Sequence, residues 1–78
     1  MKKATTNSLI KKYPERMRAL RQDCDLTQKA VAEVLGVAQT TYSQYELYSR
    51  SMPIEHLYKL CQFYNVSADY LLGMSDKK

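Results

Sequence analysis

Two glycines and two prolines in 78 residues leave too few turn-formers for an all-β domain, and point to helices joined by short connections. Cysteine is as scarce. Cys24 and Cys61 form no C-x-x-C pair, and the single histidine, His56, cannot complete a zinc set with them. No metal or other cofactor is expected. His56 also lacks a nucleophile or carboxylate constellation at helical spacing, since neighbouring Glu55 points to another face; it reads as a helix-surface residue, and an enzyme is not expected. No apolar run is long enough for a membrane span or a signal peptide. A reduced, cytoplasmic setting is the simplest reading, with both cysteines as small core or half-buried residues.

What is present in excess is positive charge. The net charge of +4 favours a polyanionic partner. Lys2, Lys3, Lys11 and Lys12 load a polar N-terminal stretch without periodicity, read as a flexible basic arm over residues 1–12. Arg16, Arg18 and Arg21 follow it. The length allows one small domain. A chain this short buries only about 60% of its unfolded surface, so its core must come from efficiently packed helices or from a partner subunit.

Five helices are expected. Tyr13-Pro14 opens the first, with Glu15 in its first turn and Met17 and Leu20 facing inward, continued by Tyr13 and Cys24. Asp25 is a left-handed stop. Thr27 caps a second helix over about 28–35, and Gly36 ends it. A third runs over about 38–47, where Tyr42 and Tyr45 point inward and each hydroxyl needs a partner or the surface. Ala38 stands where a serine or threonine cap would serve, an omission costing about 1 kcal/mol. Pro53 opens a fourth helix to about residue 64, with Ile54, Leu57, Leu60, Cys61 and Tyr64 as its inward stripe. Asn65 stops it. Ser67 caps a last short helix that Gly73 closes, leaving 13–73 as the domain and 74–78 as a frayed tail.

The register of these helices brings out a set of short matches: Arg-Ala-Leu-Arg (18–21), Leu-Thr-Gln (26–28), Val-Ala (31–32), Leu-Gly-Val (35–37), Tyr-Ser-Gln-Tyr-Glu (42–46) and Asn-Val-Ser-Ala-Asp-Tyr-Leu-Leu-Gly (65–73). Over about residues 13–73 the chain resembles the Cro/C1-type helix-turn-helix family, the xenobiotic-response-element class of bacterial and phage regulators. The resemblance implies an all-α, five-helix, lambda-repressor-like domain with the helix-turn-helix at helices 2 and 3. It implies a sequence-specific transcriptional regulator whose third helix enters the major groove of double-stranded DNA. A homodimer on an inverted-repeat operator is expected.

Carried over residue by residue, the resemblance makes Gln39, Thr40 and Gln44 base readers. Their chemistry suits that role, because a glutamine amide can pair with adenine N6 and N7, and a threonine methyl can pack on a thymine methyl. Gln28 is expected to bond a phosphate and brace Gln39. Thr41, Ser43 and Arg50 are further phosphate contacts, and Arg21 and Glu46 a partly buried ion pair. One departure stands out. After Glu46 the family usually has a residue and then glycine, but here Leu47-Tyr48 follows. A tyrosine with positive φ would be strained, so either the loop takes another route or Tyr48 is held for a purpose. The alternative function is a protein-interaction or antitoxin-like module on the same fold. Phe63, Tyr64, Tyr70 and Met74 offer apolar surface that either pairs with a second copy or fills the core.

Overall fold

Helix boundaries in this chain are set by side-chain caps and left-handed stops. The computed structural model describes residues 12–78. The basic arm expected over 1–12 therefore lies outside the described residues, except Lys12. Five helices appear among those described: α1 (Lys12–Asp23), α2 (Gln28–Leu35), α3 (Gln39–Glu46), α4 (Ile54–Tyr64) and α5 (Ala68–Leu71). Pro14 falls in the first turn of α1, where a missing N–H removes no helical bond. The Thr27 hydroxyl accepts from the Ala30 amide at 3.0 Å, and Ser67 does the same for Tyr70 at 3.0 Å. Asp25, Gly36 and Asn65 all take positive φ, at 56°, 74° and 57°. At Gly36 the turn is sealed by Val37 N–H bonding the Ala32 carbonyl at 3.0 Å. Ala38 is extended and makes no side-chain cap, so α3 starts at Gln39 with its first amides unserved by side chains.

These helices bury one core: Met17 and Leu20 of α1, Val31, Ala32 and Leu35 of α2, Tyr42 and Tyr45 of α3, Leu60 of α4 and Leu71 of α5. α3 packs on both α1 and α2, and α5 bridges α1 and α4. No helix among the described residues is long and apolar enough to cross a membrane.

Three expectations are corrected. Ile54 is 73% exposed, because the first turn of α4 edges an open groove beside Tyr13, Met52, Leu57 and Leu72. Cys24 is exposed, because α1 ends at Asp23 and the cysteine sits on the turn beyond the inward stripe. Residues 74–78, expected as a frayed tail, make contacts with the helical body. Arg16 bonds the Ser75 carbonyl and the Asp76 carboxylate at 3.3 and 3.0 Å, and the Ser67 amide bonds the Lys78 carbonyl at 2.9 Å.

Candidate nucleic-acid interface

α3 has two sharply different faces. Tyr42, Tyr45 and Glu46 are buried, whereas Gln39, Thr40 and Gln44 are exposed and Thr41 and Ser43 are half-buried. At about 100° per residue, positions 39, 40, 43 and 44 share one side of the helix. The buried side is an aromatic anchor. Tyr42 and Tyr45 meet edge to face at 6.4 Å, and the Tyr45 hydroxyl shares a 3.2 Å hydrogen bond with His56 Nδ1. His56 is therefore half-buried and joins α4 to α3, a correction to its reading as a plain surface residue. Nothing in helical spacing within α4 signals this bond, because its partner lies on another helix.

A charged node closes the other end of α3. Arg21 Nε donates to Glu46 Oε2 at 2.7 Å and Arg21 Nη2 to Oε1 at 3.2 Å, the fork-on-carboxylate geometry. Arg21 Nη1 also donates to the Leu26 carbonyl at 3.0 Å, so one guanidinium ties the α1–α2 turn to α3. Gln28 Nε2 donates to Glu46 Oε1 at 3.2 Å. The brace that Gln28 supplies thus goes to Glu46 at the far end of α3, not to Gln39 at its start. Burial alone would raise the Glu46 carboxyl, but the hydrogen bonds from Arg21 and Gln28, with the Tyr42 hydroxyl alongside, hold it below its ordinary value. The bond to Glu46 correspondingly raises Arg21. The Tyr42 hydroxyl is buried beside this carboxylate but out of hydrogen-bonding geometry with any partner. Burial above all pushes its phenol far above the ordinary value, and pushes Tyr64 up to about 12.

The turn after α3 keeps the left-handed step. Leu47 is still right-handed, and Tyr48 takes φ 55°. For a bulky side chain that conformation costs on the order of 1–3 kcal/mol. Tyr13 supports it: the two rings meet edge to face at 5.8 Å, and the Tyr13 hydroxyl accepts from the Met52 amide at 3.3 Å. Burial raises the Tyr13 phenol, with the Met52 amide pulling the other way. The left-handed step sends the chain back over α3. The Ser49 amide bonds the Gln44 carbonyl at 3.0 Å, and Arg50 Nη1 donates to Gln44 Oε1 at 3.4 Å. Sequence reasoning missed Tyr13 and Met52 as supports of this turn; the one available signal was the second tyrosine, at the position where glycine is usual.

The sequence pattern of the helix-turn-helix family matches residues 17–71, from within α1 to the end of α5. The chain belongs to the Cro/C1-type helix-turn-helix family. It is 41% identical over 64 residues to the uncharacterized HTH-type transcriptional regulator YobD of Bacillus subtilis (strain 168), covering 82% of this chain and 57% of that protein. It is 40% identical over 62 residues to the HTH-type transcriptional regulator ImmR of the same organism, covering 80% of this chain and 49% of ImmR. It is 36% identical over 64 residues to the cryptic phage CTXphi transcriptional repressor RstR of Vibrio cholerae, covering 82% of this chain and 58% of RstR. The chain thus spans about half the length of these relatives. No solved structure matches it significantly. In this helix-turn-helix, α2 and α3 are the paired helices, Gly36 is the hinge, and the exposed polar face of α3 belongs to the second helix of the pair.

Proposed function

We propose that the chain is a sequence-specific regulator of transcription that lays α3 in the major groove of double-stranded DNA. The observation that carries this reading is the division of α3: an exposed, uncharged, polar face of Gln39, Thr40 and Gln44, held rigidly by a buried face of Tyr42, Tyr45 and Glu46. A reading helix needs both, because contacts to base edges are productive only from a fixed position. Gln39, Thr40 and Gln44 take the base edges. Gln28, Thr41, Ser43 and Arg50 line the flanks and meet phosphates, which set position rather than sequence choice. Two copies bind an inverted repeat, with reading helices about 34 Å apart along the duplex. The setting is the cytoplasm. Of the apolar residues available for pairing, Phe63 and Met74 are exposed, but Tyr70 is covered by the Arg16 guanidinium at 4.1 Å and Tyr64 is half-buried. The relatives named above are regulators and a repressor, and none points to the interaction or antitoxin-like module.

Selection of bound duplexes from random DNA tests this directly. The parent chain enriches one motif with two-fold symmetry, and Gln39→Ala and Gln44→Ala each relax different positions within its half-site. Enrichment of no motif contradicts sequence-specific binding, and uniform weakening with an unchanged motif removes the two glutamines from base reading.

A further inference from the structure

Gln44 is not presented to the groove as a free amide. Its Oε1 accepts from Arg50 Nη1 at 3.4 Å, and its backbone carbonyl accepts from the Ser49 amide at 3.0 Å. The returning loop that delivers Arg50 depends on the left-handed Tyr48, which rests on Tyr13. Arginine carries donors only, so it can meet only the oxygen of the Gln44 amide. The orientation of that amide is thereby decided by chemistry: oxygen toward Arg50, nitrogen with its two N–H groups left to face a base.

From this we infer that Arg50 is a positioning residue that makes Gln44 a reader of acceptor edges, guanine before adenine. The inference rests on the reading of α3 given above. Guanine offers two acceptors in the major groove, O6 and N7, whereas adenine offers only N7 and is met bidentately by a glutamine only if the amide oxygen takes its N6 amino group. Gln44 Oε1 keeps a second lone pair, but an amino group brought to it lies beside the guanidinium, donor against donor and positive against partial positive. The same positive charge favours the guanine edge. Gln44 and Arg50 thus act as one unit, and Arg50 sets sequence choice in addition to any phosphate it meets.

The test is duplex selection with the parent, Gln44→Ala, Arg50→Ala and Arg50→Lys, each first checked for an unchanged thermal melt. Gln44→Ala identifies the base pair that Gln44 reads. The parent is expected to select guanine there. Arg50→Ala reduces that preference by about tenfold, the scale of one base contact, admits adenine, and leaves the other positions alone. Arg50→Lys, which keeps the charge and a donor, retains part of the preference. Adenine at that position in the parent overturns the inference, as does an Arg50→Ala chain that binds every sequence more weakly with guanine still preferred. A parent that enriches no motif overturns the reading beneath it, an outcome distinct from these two.

Discussion

Glu46 is the one charged residue that is buried among the described residues, at 5% exposure, and its surroundings explain why it is tolerated. Three N–H groups from two helices meet its two oxygens. Replacing Arg21 by alanine strands the carboxylate, and Arg21→Ala is expected to cost about 3–5 kcal/mol of unfolding free energy in denaturant titration. The pH dependence follows from the lowered carboxyl. The unfolded chain takes up this proton more readily than the folded one. The stabilisation is therefore complete above an ordinary carboxylate value of about 4.3, and is lost as pH falls through the folded value. Denaturant midpoints measured from pH 6 downward should fall below about pH 4.3 in the parent and flatten in Glu46→Gln. A Glu46→Gln chain with the parent's acid slope would place the titrating group elsewhere. Tyr48 provides the second residue-scale test. Alanine there keeps the left-handed strain and loses the Tyr13 contact, whereas glycine loses only the contact. Tyr48→Gly should therefore be more stable than Tyr48→Ala by about 1–2 kcal/mol; equal stabilities would mean that φ 55° carries no strain.

At the scale of the element, α3 has little support of its own. It has eight residues, no side-chain cap and no charged residue in its first turn. An isolated helix of this length is marginal, so packing through Tyr42, Tyr45 and Glu46 holds it. Ala38→Ser, at an extended residue suited to capping, should raise stability by about 0.5–2 kcal/mol, read as a higher melting temperature. No gain would show that the first amides of α3 already have partners. This helix also marks what was legible beforehand. The caps at Thr27 and Ser67 and the stops at Asp25, Gly36 and Asn65 are local chemistry, and local chemistry reads directly from sequence. The inward placement of Tyr42 and Tyr45 follows from period alone. The partners of α3 do not: His56 on Tyr45, Gln28 on Glu46 and Arg50 on Gln44 all depend on how separate segments cross. Ile54 shows the same limit from the other side, since its spacing is correct for the stripe but it is left 73% exposed at the edge of an open groove.

At the scale of the whole molecule, charge and base reading are separated. The net charge is +4, yet α3 has no lysine or arginine. Affinity from counterion release must come from the rest of the chain, with choice of sequence from α3. Gln39→Ala and Gln44→Ala should accordingly leave the slope of log affinity against log salt unchanged while altering base preference. A slope reduced by about 0.9 would count those glutamines among the groups that displace counterions. The C-terminal residues belong to the same body, since Arg16, Ser67 and Tyr70 all hold residues 75–78. Whether the exposed face of α3 is the surface that meets DNA can be read by titrating isotope-labelled protein with a selected duplex and following amide chemical shifts. The largest changes are expected on the backbone and side-chain amides of Gln39 and Gln44, with Thr40 beside them and Phe63 and Met74 unmoved. Shifts centred on Phe63 and Met74, with α3 silent, would contradict a DNA-reading role for this helix.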